Sequence, residues 1–334
     1  MSGGEKNIAS IENNENEGSK IQNPKSKIVQ NPESRIVHRP VMVREALEFL
    51  NVQPGGTYID ATVGGGGHAG AILERLGSDG RLLGIDRDPV GVSATRERLG
   101  RFGERLILVE GNFAAIDAVH AASGLPPAGG VLADLGMSSL QLDDASRGFS
   151  FNRAGPLDMR MDPQGETAEE LVNTARERDL ADLIFKLGEE RHSRRIARAI
   201  VKARPIRTTT QLAQVVTRSI PSRAGLHQLH HIHPATRTFM ALRMAVNREM
   251  ENLEALLAKV LGVLAARGRL VIISFHSLED RLVKQTFASW QREGRARVLT
   301  RKVVRASEDE VGENPRARSA KLRAAEKQES GFRP

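Results

Sequence analysis

No cysteine occurs in the 334 residues, which excludes disulfide bonds, thiolate metal centres and a cysteine nucleophile, and with them several enzyme classes. Aromatic side chains make up only 4% of the chain, with a single Trp and a single Tyr. An extended stacking platform for nucleic-acid bases is therefore not expected, whereas phosphate contacts around one captured base are compatible with this composition. No apolar run approaches the ~20 residues of a membrane span, and the N-terminus lacks the apolar stretch of a secretory signal. The expectation is a cytoplasmic protein with no membrane association.

What is abundant is positive charge. The formal net charge is +8, which favours a polyanionic partner. The segment from Met1 to Val37 is nearly balanced, so the excess lies beyond it. One concentration comprises Arg191, Arg194, Arg195, Arg198, Lys202, Arg204 and Arg207; another comprises Arg292, Arg295, Arg297, Arg301, Lys302 and Arg305. Two solvated faces would look the same, but contact with nucleic acid also accounts for the clustering.

Residues 1–37 are rich in Asn, Glu, Ser and Lys and are expected to form a disordered tail, since such a composition buries too little apolar surface to offset ordering. From Pro40 onward the patterns alternate: a helix over Val41 to Leu50, a strand near Thr57 to Thr62, a helix from Ala69 to Leu76, and a strand from Arg81 to Asp86. A helix from Pro89 to Leu99, a strand from Leu106 to Glu110, a helix near Phe113 to Ala122 and a strand from Gly130 to Asp134 follow. This is a doubly wound α/β order, with sites expected at the carboxyl ends of the strands. Between Gln141 and about Pro234 the strand signal vanishes and helical patterns dominate, including Ala168 to Thr174, Ala181 to Leu187 and Arg194 to Ala203. The α/β pattern resumes with one long helix over Ala235 to Ala266, a strand from Arg269 to Ser274, a helix from Leu278 to Trp290 and a strand near Ala296 to Val304. The division expected is a tail (1–37), an α/β core (38–140 and 235–330) and a helical insertion (141–234) covering the site.

The run Val63-Gly64-Gly65-Gly66-Gly67-His68 lies between a strand and a helix, where glycines allow a sharp turn and a close approach to a ligand, and the helix offers unpaired N–H groups. Asp86 ends the next strand, placed to accept hydrogen bonds from a ribose diol. Gly65, Gly67 and Gly70 also satisfy G-x-G-x-x-G with an acid ~20 residues on. The loop alone therefore leaves nicotinamide cofactor and S-adenosylmethionine both open. The third strand runs into Gly111-Asn112-Phe113, where a ring could flank adenine, and the fourth ends at Asp134 with Ser138 and Ser139 following. A carboxylate and hydroxyls there lie beside the cofactor crevice, although a helix cap would also account for them.

Longer motifs separate the alternatives. Asp134-Leu-Gly-Met-Ser-Ser-Leu-Gln-Leu-Asp-Asp-Ala-Ser-Arg-Gly-Phe-Ser-Phe and Gly155-Pro-Leu-Asp-Met-Arg-Met-Asp162 closely resemble the bacterial small-subunit (16S) ribosomal RNA (cytosine-N4) methyltransferase family. So do Gly188-Glu-Glu-Arg191, His233-Pro-Ala-Thr-Arg-Thr-Phe239, Ser274-Phe-His-Ser-Leu-Glu-Asp-Arg281 and Asn314-Pro-Arg-Ala-Arg-Ser319, and the resemblance runs from His38 to about Glu326. It implies a class I methyltransferase, Rossmann-like with a mostly parallel seven-stranded sheet and an inserted helical domain for substrate recognition. It also implies S-adenosylmethionine as cofactor and, as substrate, N4 of a cytidine in the decoding region of 16S ribosomal RNA, within the small ribosomal subunit. Carried onto this chain, the family's cofactor contacts fall on Gly66, Gly67, His68, Asp86, Phe113, Asp134 and Gln141.

Asp134 and Ser138 are the candidates for taking or orienting the amine proton, with Ser139 and His276 behind them. His227, His230, His231 and His233 have no carboxylate or thiolate in ligand spacing, so no metal is expected. Ser274 to Ser277 does not follow G-x-S-x-G, which argues against a hydrolase. Two rivals remain at this level, a nicotinamide-dependent oxidoreductase and a non-catalytic RNA-binding assembly factor. An oligomer is left open, as is the role of the Asn314 to Ser319 block.

Overall fold

The apolar runs between the glycine-rich turns are buried on both faces, the condition of a parallel sheet covered by helices on each side. In the computed structural model, which describes residues 40–220 and 233–329, they form one seven-stranded sheet. The expectations for the tail to Val37 and for His227, His230 and His231 fall outside the described residues. β1 (Thr57–Asp60), β2 (Arg81–Asp86), β3 (Leu106–Glu110), β4 (Ala128–Asp134) and β5 (Leu264–Ser274) form its parallel part. β6 (Ala296–Val298) and β7 (Lys321–Lys327) complete it, β7 running antiparallel to both β5 and β6. The order is β3-β2-β1-β4-β5-β7-β6, so the chain works outward from β1 to β3 and restarts at β4 on the other side of β1.

Helices α1 (Val43–Leu50), α2 (Gly67–Arg75), α3 (Pro89–Leu99) and α4 (Ile116–Ser123) accompany the first four strands. After β4 come the short α5 (Ser139–Asp143), then α6 (Ala168–Thr174), α7 (Glu177–Gly188), α8 (Ser193–Ala203), α9 (Thr209–Ser219) and α10 (Thr236–Val246). α11 (Glu249–Val263) leads into β5, and α12 (Ser277–Arg292) and α13 (Glu308–Glu313) follow it. None of the described helices is long and apolar enough to cross a membrane. Alternate strand residues serve two cores: Tyr58, Leu82, Leu132 and Ile273 pack with α1 and α2, while Ile59, Leu83, Val131 and Ile272 pack with α11 and α12. A third core, containing Leu180, Ile184, Ile196, Ile200, Leu212 and Val216, belongs to the helices between β4 and β5.

Several features depart from the sequence patterns, including β5, which starts at Leu264 inside the helix expected to reach Ala266. The helix expected over Ala235 to Ala266 is two helices, broken at Asn247 and at Arg248, whose φ is 49°. Its apolar periodicity continues across the break, which is why sequence reads it as one; the Asn247 side chain instead accepts from the Met161 N–H (2.8 Å) and donates to the Met159 carbonyl (2.7 Å). α10 accordingly packs Phe239 and Leu242 into the third core, so the helical unit extends past Pro234 to this break. The strand expected near Ala296 to Val304 stops at Val298, with Val304 making only an isolated bridge to Leu322. β7 and α9 have no counterpart in the sequence patterns; Lys321-Leu-Arg-Ala-Ala-Glu-Lys327 lacks the β-branched residues that mark a strand and gains its pairing from two neighbours.

Asn247→Ala removes the partners of two backbone groups in a buried setting, so a loss of about 2 to 4 kcal/mol in unfolding free energy is expected from urea denaturation. An unchanged midpoint would mean that the break holds without its side chain.

Candidate active site

β1 and β4 are the neighbours at which the strand order reverses, and the crevice outside their carboxyl ends is where a doubly wound sheet binds ligands. The strands reach this end with Asp60, Asp86 and Asp134, and β5 with Ser274, two residues before His276.

Beyond Asp60 the backbone turns through Gly64 (φ 52°) and Gly66 (φ 76°), left-handed conformations that a β-carbon disfavours. The Gly64 N–H donates to Asp86 Oδ2 at 2.6 Å and the Asp88 N–H to Asp86 Oδ1 at 2.8 Å, so one carboxylate braces the loop against the end of β2. From α3, Thr95 Oγ1 and Arg98 donate to the carbonyl oxygens of Gly64 (2.9 Å) and Gly65 (3.0 Å). A β-carbon at Gly67 would lie 2.8 Å from the Pro40 ring, whereas one at Gly65 would meet nothing closer than Leu140 at 4.0 Å. The open side of the loop is thus at Gly65. Burial raises the Asp86 carboxyl above its ordinary range, and the two N–H donors oppose that shift.

Asp60 and Asp134 are joined through Thr62, whose N–H donates to Asp60 Oδ1 (3.1 Å) and whose hydroxyl oxygen accepts the Asp134 N–H (2.7 Å). Asp60 Oδ2 and Asp134 Oδ1 are buried and have no hydrogen-bond partner among the described residues. Burial, with Asp86 adding to it, pushes the Asp60 carboxyl up to about 7. Burial, then Asp60 and Glu279, drive Asp134 well above the carboxylate range. His68, in the first turn of α2, is buried too, with Nε2 2.9 Å from the Val41 carbonyl oxygen and Nδ1 3.6 Å from Asp134 Oδ2. A carbonyl only accepts, so Nε2 carries the hydrogen. Burial lowers the pKa of the ring to about 4, which leaves Nδ1 as a bare lone pair facing Asp134.

On the β5 side, His276 Nε2 lies 3.1 Å from Glu279 Oε1, and Glu279 Oε2 accepts the Phe275 N–H at 3.0 Å. Burial works to raise Glu279, but these two partners, together with the Arg243 charge, outweigh it and hold the carboxyl below its ordinary range. Ligand atoms of Glu249, His276 and Glu279 come within 4.8 Å of one another. Arg243 already donates to both Glu249 oxygens (2.8 and 2.9 Å), which makes the group a compensated ion-pair network.

Of the residues singled out in the sequence, His68, Asp86, Asp134, Ser138 and Gln141 converge on the crevice. Ser138 and Gln141 form a capping box that starts α5, the Gln141 N–H bonding Ser138 Oγ (3.3 Å) and the Ser138 N–H bonding Gln141 Oε1 (3.0 Å). Gln141 Nε2 then donates to the buried Asp88 (2.8 Å), which Arg147 also binds at 3.0 Å. Phe113 opens a single turn after β3, partly buried against the core. The Ser139 hydroxyl is bonded to Arg316, which places the Asn314 to Ser319 block beside α5. Asp60, Thr62, Glu279 and Arg243 were not picked out from sequence. Asp60 had a readable signal: an acid at the end of the strand that precedes the glycine loop.

Residues 35–328 match the MraW methylase family. A ribosomal RNA small subunit methyltransferase H from Syntrophobacter fumaroxidans is 50% identical over 308 residues, covering 86% of this chain and 96% of that protein. The protein of the same name from Koribacter versatilis is 51% identical over 293 residues, covering 85% of this chain and 92% of its own. That from Geobacter sulfurreducens is 50% identical over 308 residues, with 86% and 98% covered.

The Asp60 carboxyl titrates higher folded than unfolded, so its contribution to stability is fully present below about pH 4 and is lost as the pH rises to about 7. Asp60→Asn keeps an acceptor for the Thr62 N–H without the charge. Denaturation midpoints should show the variant equal to wild type at about pH 4 and more stable by about 1 to 3 kcal/mol at about pH 8; a deficit at both pH values would contradict a buried, raised acid.

Proposed function

The chain belongs to the MraW methylase family, and on that premise we propose that it transfers a methyl group from S-adenosylmethionine to the N4 amine of a cytidine in the decoding region of 16S ribosomal RNA. The observation that carries this reading is the pair of unpartnered carboxylate oxygens, Asp60 Oδ2 and Asp134 Oδ1, at the crevice beside the glycine loop. With Asp86 and Glu279 nearby, the crevice is rich in acid, and the leading N–H of the loop, that of Gly64, is already engaged by Asp86. A sulfonium cation gives such uncompensated acids a counter-charge and a dinucleotide's pyrophosphate gives them none, which favours the methyl donor over the nicotinamide cofactor that shares the glycine spacing. Carboxylate oxygens hold two lone pairs each, so Asp86 keeps acceptor capacity for a ribose diol after its two backbone bonds. Phe113 is assigned to the adenine, with Gly66, Gly67, His68 and Gln141 shaping the rest of the cofactor cradle.

When bound, the cofactor supplies an electrophilic methyl group; the protein supplies position and a proton acceptor. Cytosine N4 is a weak nucleophile because its lone pair is delocalised into the ring. Asp134 is assigned to bind an amine N–H and draw the nitrogen toward a pyramidal geometry. Ser138 orients the base with its O–H, its lone pair being engaged by the α5 cap. A base within a helix cannot enter such a crevice, so the cytidine is unpaired or flipped out, within the small ribosomal subunit. The helical unit, from Gln141 to the break at Asn247, is assigned to the RNA. On α8, Arg194, Arg195, Arg198 and Lys202 are exposed opposite the buried Ile196, Ala197 and Ile200, a face suited to phosphates.

The protein should bind S-adenosylmethionine in calorimetry and transfer its labelled methyl group to small-subunit RNA, with the product identified by nucleoside mass spectrometry. Asp86→Ala should weaken cofactor binding about 10- to 100-fold, the scale of losing one or two charge-assisted bonds. Tight binding of a nicotinamide dinucleotide alone would refute the assignment, and RNA binding without transfer would indicate an assembly factor.

Reversing the charge of Arg194, Arg195 and Arg198 together should weaken RNA binding and flatten its salt dependence while leaving cofactor affinity nearly unchanged, because phosphate contacts release counterions. Normal methylation across salt concentrations would return that helix face to solvent.

A further inference from the structure

The carboxyl of Asp134 is held in surroundings that suit an acid and not an anion. Among the described residues its Oδ1 is buried without a donor, while its Oδ2, on a side chain that keeps 22% exposure, faces the bare Nδ1 of His68 at 3.6 Å. Two lone pairs facing each other repel unless one oxygen carries a hydrogen, and here only Asp134 can, because the His68 ring proton is fixed on Nε2 by the Val41 carbonyl. The other ionisable groups around it are acids or a compensated pair: Asp60 from β1, coupled in turn to Asp86 from β2, and Glu279 with His276 from the start of α12. Among the described residues no lysine or arginine forms an ion pair with Asp60 or Asp134. Both carboxyls nevertheless stand at the reversal point of the sheet, where a ligand enters.

Taking the methyl donor to be the sulfonium cofactor proposed for this site, we propose that Asp134 is a protonated carboxylic acid in the free protein, and that entry of the cation expels its proton to solvent. The cation supplies the compensating charge that the fold omits, so Asp134 becomes an ion only when the donor is present. The step is balanced. As N4 forms its bond to the methyl carbon, the carbon–sulfur bond breaks with its electron pair going to sulfur, and one N4 proton passes to Asp134. The sulfonium has become a neutral thioether and the carboxylate a neutral acid, so the product state has the protonation of the free protein. The one proton that every turnover must release to solvent therefore leaves when the cofactor binds, and not when the methyl group moves. Asp60 acts through Asp134: as a second acid on the adjacent strand, it disfavours a charge on the Asp134 carboxyl and keeps the proton in place until a cation arrives.

Titration calorimetry of the full chain at about pH 6 in two buffers of different ionisation enthalpy tests this. S-adenosylmethionine should release close to one proton per site and S-adenosylhomocysteine, which lacks the cation, close to none. As the pH is lowered, affinity for the sulfonium should fall about tenfold per unit while affinity for the thioether stays flat. Asp134→Asn should abolish the proton release and the preference for the cation, and Asp60→Asn should reduce the release. Heats of S-adenosylmethionine binding that are the same in both buffers, with normal affinity, would overturn the inference and leave the methyl-donor assignment standing. Failure of the wild-type protein to bind either compound would overturn both.

Discussion

The 2.6 Å hydrogen bond from the Gly64 N–H to Asp86 ties the glycine loop to the second strand, and the geometry of the crevice follows from it. With Gly64 fixed, Thr95 and Arg98 of α3 clasp the next two carbonyls, and the loop delivers the chain into α2 with His68 in its first turn. His68 in turn faces Asp134, so a contact made at β2 sets the surroundings of a carboxyl on β4. An anion at Asp86 is acceptable because two backbone N–H groups compensate it. Asp60 has a hydrogen bond from the Thr62 N–H and a weaker pull from the Ala69 N–H, and among the described residues Asp134 has no donor on Oδ1, a gradient of compensation across three neighbouring strand ends. A carboxylate supported in this way can serve a polar group such as a ribose, while an uncompensated one calls for a cation.

Local chemistry made much of this legible. β2, α3 and β3 lie where their apolar runs and punctuation place them, because Asp86 ends one run and Asp88-Pro89 caps and starts the next helix. The glycine loop, Asp86 and Asp134 were visible for the same reason, as polar residues ending buried strands. β7 escaped because its residues are poor strand formers stabilised by partners on both sides, a tertiary effect absent from any local window. The break at Asn247 escaped because its cause lies far away, at the Met159 and Met161 backbone. The relation between Asp60 and Asp134 is of that kind as well, since Thr62 brings together two strands separated by β2 and β3 in the chain. Residue types announced the acids; only the fold showed that no base compensates them.

The helical unit proposed to meet RNA is fastened to the crevice at several places, among them Arg147 on Asp88 (3.0 Å). Glu189, at the end of α7, is bonded to the Ser277 hydroxyl and to Arg281 (3.1 Å), one residue from His276. Arg87, directly after Asp86, donates to Asp162 (2.9 Å) and to the Asn247 carbonyl (2.8 Å). A displacement of the helical unit on binding a polyanion would therefore be felt at both β2 and β5, through bonds that involve charged groups and are worth more than neutral ones.

The same arrangement constrains how the chain reaches its native state. β4 and β5 pair side by side, yet everything from Leu135 to Val263 intervenes between them in the chain. Closing so long an open coil carries an entropic penalty that grows with its length, but a coil already condensed around its own apolar centre behaves as a much shorter tether. The third core, built without any strand of the sheet, condenses the intervening chain in this way. The pairing of β5 with β4 is thus the long-range contact that brings His276 and Glu279 next to Asp134.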